Sequence, residues 1–270
     1  MKKLSFGILG GDSRQLFLAE LLKKDGYKIN TFGILKSENF PIKSLSETLE
    51  SEILIFPLPV SRDGIHIQST YISIEDILNI IKDKKIFCGI KNSVNNEIWQ
   101  SLKIVDYSKN EDFTVSNAWL TAEGVLKILF DKIKKPLSES KCLITGFGRI
   151  GKILAMIFRN FKTSIDILIH SDGDAAWSEI FGVNPVKLEE NINYDFIINT
   201  APAMIFNKNI LEKVNKNTYM LDLASVAGIE FDVAADLGIK AEHVLGIPGR
   251  FFPKSAAEFI KREIIKNLTF

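Results

Sequence analysis

One segment constrains the fold more than any other. Lys141–Thr145 (KCLIT) is a short, largely apolar run that passes directly into Gly146-Phe147-Gly148-Arg149-Ile150-Gly151 and then into the helix-like stretch Ile150–Phe161. A strand-like run that ends on glycines and turns at once to helical spacing is a strand–turn–helix unit of a parallel sheet. The same alternation fills the chain. Strands are expected at Leu4–Leu9, Lys28–Phe32, Glu52–Val60, Ile86–Cys88 and near Ile104, and again at Ser164–Ile169, Asp195–Asn199 and Tyr219–Leu223. Helices are expected at Ser13–Lys24, Ile74–Ile81, Asn96–Leu102, Ala118–Lys134 and Pro253–Lys266.

This pattern predicts an α/β fold of two Rossmann-like, doubly wound parallel-sheet domains joined by two long helices. The expected first domain, on the substrate side, is 1–115, followed by a connecting helix over 116–135. A dinucleotide-binding domain follows over 136–250, and a C-terminal helix over 251–270 packs back on the first domain. A chain of 270 residues has room for both cores. The 34 basic and 33 acidic residues leave a net charge of +1, so no basic excess argues for a nucleic-acid footprint and no nucleic-acid partner is expected. Cys88 and Cys142 sit in apolar runs and read as buried thiols, not a disulfide framework. The apolar start MKKLSFGILGG is interrupted by Asp12 and Arg14 before it reaches signal-peptide length. No stretch reads as a membrane span, so the expectation is a cytoplasmic protein.

G-x-G-x-x-G in this context is a dinucleotide fingerprint. Gly146 permits the tight turn, Gly148 lets the main chain approach a pyrophosphate, and Gly151 lets helix and strand pack closely. Phe147, Arg149 and Ile150 belong to the same turn, whose N–H groups face the phosphates. The next strand ends in His170-Ser171-Asp172, not in the acid that usually holds the ribose 2′-OH of NAD. His170 and Ser171 can donate to a 2′-phosphate. An inward Asp172 would oppose it by about 4 kcal/mol at roughly 4 Å and an effective dielectric near 20. The expectation is NADP, with Asp172 facing solvent and NAD as the alternative. Thr200-Ala201-Pro202 and Leu223-Ala224-Ser225 close two further strands and are expected to line the same cofactor. No metal site is expected.

A second glycine turn, Gly10-Gly11-Asp12-Ser13-Arg14-Gln15, lacks the dinucleotide spacing but still begins a helix. Gly11 and Ser13 offer donors to an anion, and Arg14 offers a bidentate grip on a carboxylate. Asp12 also reads as an N-cap. Ser61 and Arg62 follow the third strand. Lys254 and Ser255 stand at the start of the last helix, behind Pro253. Thr121 and Glu123 lie near the start of the connecting helix. His66 reads as structural.

Taken together, GGDSRQ, the P-x-x-x-S of PLPVS, TAEG, GFGRIG, NTAPAMI, LDLAS and GIPGRFFPKSAA, in that order, resemble the A-subunit family of dipicolinate synthases from spore-forming bacteria. The resemblance runs over nearly the whole chain. It implies oxidation of dihydrodipicolinate to pyridine-2,6-dicarboxylate with reduction of NADP, a dicarboxylate substrate, a flavoprotein-like B subunit, and expression in the mother cell. Homo-oligomers are expected as well. Members often carry Arg-Ser where this chain has His170-Ser171. On this reading Arg14 and the start of the last helix clamp the carboxylates. Lys254 or Glu123 takes the proton. Two rival readings stand beside it. A D-2-hydroxyacid or alanine dehydrogenase shares the architecture, but the former places an acid–base His where this chain has IPGRFF, and His243 lies earlier, in AEHVLG. A non-catalytic dinucleotide sensor or scaffold is the other.

Overall fold

The first unit begins with β1 (Ser5–Leu9), α1 (Ser13–Lys24), β2 (Lys28–Phe32), α2 (Leu45–Leu49) and β3 (Ile53–Ile55). It continues through α3 (Ile74–Ile81), β4 (Lys85–Cys88), α4 (Glu97–Ser101) and β5 (Ile104–Asp106). These belong to a computed structural model that describes residues 4–35, 40, 43–188 and 191–268. All pairs in the sheet are parallel, in the order β2-β1-β3-β4-β5. The strands alternate between two cores, as the period of two requires. Ile53 and Ile55 face one side with Phe6, Ile8, Leu18 and Leu22. Leu54 faces the other with Ile77, Ile81, Ile86 and Trp99. Each such fully buried aliphatic side chain contributes roughly 1.5–3 kcal/mol.

The expected strand 52–60 shrinks to Ile53–Ile55. Pro57 and Pro59 lack the N–H that a central strand needs, so the ladder stops before them. The expected helix 118–134 is the later part of a longer α5, Glu111–Lys132. The helix starts seven residues earlier, where Asn110 Oδ1 accepts from the Asp112 N–H at 2.9 Å and Asn110 O from the Thr114 N–H at 2.9 Å.

The second unit contains β6 (Lys141–Thr145), α6 (Arg149–Asn160), β7 (Ser164–Leu168), α7 (Asp172–Phe181), β8 (Asn184–Val186) and β9 (Phe196–Asn199). After them come α8 (Lys208–Leu211), β10 (Tyr219–Asp222), α9 (Phe231–Asp236) and β11 (Lys240–His243). Its parallel sheet runs β11-β10-β9-β6-β7-β8. The strand order reverses between β6 and β9, the position at which open α/β sheets bind ligands. Pro185 sits in the edge strand β8, where a missing donor is tolerated.

The chain ends with α10 (Ile247–Phe251) and α11 (Pro253–Lys266). The compact units are Met1–Asn117 with Pro248–Phe270, and Ala118–Ile247. Within the first, α11 packs along α1, with Ala257, Ile260 and Ile264 sharing a core with Leu18 and Leu22. Among the described residues, no helix is long and apolar enough to cross a membrane, and no cluster of three or more His, Cys, Asp or Glu is arranged to hold a metal ion.

Candidate functional site

In the second unit β6 runs directly into the glycine turn. Gly146 has φ +86°, a conformation that favours glycine. A Cβ there would lie 2.7 Å from Thr200 Oγ1 and 3.0 Å from the Ala201 N. A Cβ on Gly151 would fall on the Gly146 carbonyl oxygen, so α6 packs against the turn only because that position is glycine. Gly148 differs: nothing lies within 4 Å of where its Cβ would be. It is exposed, and it is the N-cap of α6 without any side-chain cap. The turn thus has a tight base and an open face, and the N–H groups of the first helical turn have no side-chain acceptor at their cap. That fits a pyrophosphate. Phe147 is turned inward, edge-to-face with Phe181 at 5.5 Å. What it offers a ligand is main chain, while its ring ties the turn to α7.

His170 and Ser171 are exposed beyond the end of β7. Ser171 is the N-cap of α7, accepting from the Asp174 N–H at 3.2 Å. The His170 N–H donates to Asp174 Oδ2 at 3.3 Å. Asp172, expected in a turn, is the exposed first residue of α7. Acids in a first turn complement the helix dipole.

The strand ends β6, β9 and β10 are joined by a network that the sequence reading did not identify. Thr145, Asn199 and Asp222 each end a strand, and all three are fully buried. Thr145 Oγ1 donates to Asn199 Oδ1 at 2.5 Å, and Asn199 Nδ2 donates to Asp222 Oδ1 at 2.8 Å. Asp222 also accepts from the N–H groups of Ala224 at 3.0 Å and Gly228 at 2.7 Å. Thr200 Oγ1 contacts the carbonyls of Thr145 at 2.9 Å and Gly146 at 3.0 Å. Ala224 O pairs with His243 Nε2 at 2.8 Å, and His243 stacks on Phe231. The expected residues Thr200, Ala201, Leu223 and Ala224 are therefore held from beneath, with Pro202 and Ser225 exposed. The missed signal was a polar residue ending each of three apolar strands. Glu123, further along α5, accepts from Trp119 Nε1 at 2.5 Å.

In the first unit the analogous turn is closed. Gly10 and Gly11 have positive φ, but their N–H groups donate to Phe32 O and Gln68 O, each at 2.8 Å. The donors expected of Gly11 are therefore engaged. Asp12 caps α1, accepting from the Arg14 N–H at 3.0 Å, while Gln15 Oε1 accepts from the Asp12 N–H at 3.2 Å. This is a capping box. Its signal, Asp followed three residues later by Gln, stood in the sequence.

The bidentate grip expected of Arg14 falls on its own neighbour. Nε donates to Asp12 Oδ1 at 2.9 Å and Nη2 to Oδ2 at 2.7 Å. Nη2 also donates to Leu58 O at 2.6 Å. The Arg14 side chain is 6% exposed and that of Asp12 32%. Burial opposes the charge on Asp12, but the hydrogen bonds and charge of Arg14, with the charge of Arg62, hold its carboxyl below the usual range.

Gly249 packs on this pair: a Cβ there would lie 2.8 Å from Arg14 Nε and 2.9 Å from Asp12 Oδ2. Three sequence motifs thus meet at one ion pair. Ser61 is buried and structural, its Oγ donating to Asp63 Oδ1 at 2.9 Å and accepting from the Gly64 N–H at 3.0 Å. His66 binds Asp63 Oδ2 through Nδ1 at 2.7 Å. Arg62 and Lys254 are exposed, and Ser13 and Ser255 half-buried. No side chain caps α11, whereas Asp12 caps α1.

Residues 5–108 match the family described as the N-terminal domain of the dipicolinate synthase A subunit. The A subunit of the Bacillus subtilis dipicolinate synthase is 28% identical, with 98% of this chain and 96% of that protein aligned. The chain is similar to a dipicolinate synthase A subunit along almost its whole length. The crystal structure of the corresponding protein from Bacillus halodurans superposes with a TM-score of 0.87 at 24% identity, covering 99% of this chain and 98% of that one. The apo D-lactate dehydrogenase of Escherichia coli gives 0.67 at 14% identity, over 98% and 97% of the two chains. The fold is therefore that of the D-2-hydroxyacid dehydrogenases. The segment matched to the dipicolinate synthase domain holds Asp12, Arg14, Leu58 and Arg62. Gly249, which completes their packing, lies outside it.

Proposed function

We propose that this chain is the dinucleotide-binding, dihydrodipicolinate-oxidising component of a dipicolinate synthase, using NADP. One observation carries the reading: an open, phosphate-ready glycine turn at a sheet switch point, in a chain similar over 98% of its length to a dipicolinate synthase A subunit. Gly146–Gly151 hold the pyrophosphate. His170 and Ser171 meet the 2′-phosphate, and Thr200–Pro202 with Leu223–Ser225 frame the nicotinamide. When bound, the nicotinamide would accept a hydride, two electrons with one proton, from the substrate ring. The chain supplies the rest. Arg62 and Ser13, with Lys254 and Ser255 in the first turn of α11, take the carboxylates. Arg14 acts through Asp12 and Leu58 by fixing the geometry of the seat, not by gripping the substrate with its fork. Aromatisation also removes a proton from a ring carbon, and Lys254 or Glu123 receives it. Holding the substrate at near-attack distance supplies much of the rate. A role in the mother cell and a flavoprotein-like second subunit belong to this reading as what the resemblance implies.

The test is absorbance at the reduced-nicotinamide band with freshly generated dihydrodipicolinate. NADP and NAD are supplied in parallel, with and without the second subunit. Reduction of NADP is expected. Cofactor binding without turnover in any combination would contradict the enzymatic reading and favour a sensor.

A further inference from the structure

We propose that Asp222 is a positioning residue of the dinucleotide pocket, and that its buried carboxylate makes the pocket favour the oxidised, cationic form of a nicotinamide over the reduced form. The inference rests on the dinucleotide reading above and deepens it.

Asp222 is fully buried at the end of β10. Its three partners, Asn199 Nδ2 and the N–H groups of Ala224 and Gly228, all donate. Donors alone are what an ionised carboxylate accepts. Among the described residues no Lys or Arg pairs with it, so main-chain and amide dipoles hold the charge without cancelling it. The contacts also fix two loops. Ala224 and Gly228 bracket the loop after β10, and the Gly228 carbonyl accepts from the N–H groups of Ile205 at 3.0 Å and Phe206 at 2.8 Å, in the segment after β9. A Cβ at Gly228 would fall on Asn199 Nδ2, so that glycine is part of the same device.

The position follows from the sheet. In a doubly wound fold the pyrophosphate sits at the first glycine turn and the adenosine over the second strand. Here those are β6 and β7, which leaves the nicotinamide half over β9 and β10. An oxidised nicotinamide carries a positive charge and a reduced one carries none. A fixed negative charge behind the pocket floor therefore stabilises one form more than the other, in surroundings where charge is weakly screened.

The experiment titrates the full chain with the oxidised and reduced forms of NADP and of NAD, following tryptophan fluorescence. Wild type is compared with Asp222→Asn and Thr145→Val. Asp222→Asn is expected to weaken the oxidised form about tenfold more than the reduced form, the scale of a single removed charge. Thr145→Val loosens the same network without touching the charge and is expected to weaken both forms alike. Equal losses for both forms in Asp222→Asn, or none, would overturn the proposal. If Asp222→Asn does not fold by circular dichroism, the wild type decides. Its oxidised-to-reduced affinity ratio must hold within roughly twofold as salt rises, because a buried charge escapes screening. A ratio that collapses with salt would place the charge at the surface and refute the assignment. Failure of the folded wild type to bind any of the four dinucleotides would overturn the dinucleotide reading, and this inference with it.

Discussion

The two glycine turns of this chain share a plan and differ in electrostatic state. Both leave a parallel strand, pass through glycine with positive φ and start a 12-residue helix. At Gly10–Gln15 the chain satisfies the helix start itself. Asp12 occupies the place an anion would take, and Arg14 neutralises it. At Gly146–Gly151 no side chain does so, and the space over Gly148 is open. A strand–glycine–helix turn is thus an anion site only when its own cap leaves it unfilled. The closed turn has become a structural joint, where α1, the Leu58 loop and Gly249 meet.

The largest expected effect on binding separates the two turns at once. Gly151→Ala drives a Cβ into the Gly146 carbonyl, so α6 must lift from the turn. Melting of the full chain should show a loss of about 1–3 kcal/mol, and dinucleotide binding should fall below detection. Wild-type binding in this variant would mean the turn does not hold the phosphates. Arg14→Ala acts on the other turn. It leaves Asp12 partly buried without its cation, at a cost of roughly 2–4 kcal/mol in denaturant titration, and dinucleotide affinity should not change. Equal loss of stability and cofactor affinity would erase the distinction between the turns.

Acid gives a smaller effect with a defined sign. The Asp12 carboxyl is held below its ordinary value of 3.8. Its contribution to stability is present above that value and is lost as pH falls through the lower folded value. Denaturation below about pH 4 should therefore show an acid-side slope that Arg14→Ala makes shallower; an unchanged slope would remove Arg14 as the cause. Ser171→Ala is the mildest. It should cost about 1 kcal/mol as a lost helix cap. If Ser171 also meets a 2′-phosphate, NADP affinity falls while NAD affinity holds.

Much of this was legible in the residues. Parallel strands show as short apolar runs, and GFGRIG shows its own turn because Gly146 and Gly151 answer steric demands of the turn itself while Gly148 leaves space above it. Ile74–Ile81 and Pro253–Lys266 were readable to the residue, since Ser73 caps one and Pro253 opens the other. What stayed hidden depends on three-dimensional partners. Arg14 looks like a free cation in sequence, and only burial against Asp12 and Gly249 shows that its fork is engaged. Thr145, Asn199 and Asp222 are separated in sequence and become one network because parallel pairing brings their strand ends side by side. The α7 helix escaped notice because its first turn, Asp172-Gly173-Asp174, reads as a loop until Ser171 is seen to cap it.

The most direct measurement gives the open turn the cap of the closed one. Gly148→Asp places a carboxylate where Asp12 stands in the first unit, at a position with φ −77° and no atom within 4 Å of the new Cβ. Dinucleotide titration and melting of the full chain are compared with wild type. The account predicts opposite signs: thermal stability holds or rises by up to about 1 kcal/mol, while dinucleotide affinity falls roughly a hundredfold through repulsion of the pyrophosphate. Undiminished binding by Gly148→Asp would contradict the claim that this turn is the phosphate site.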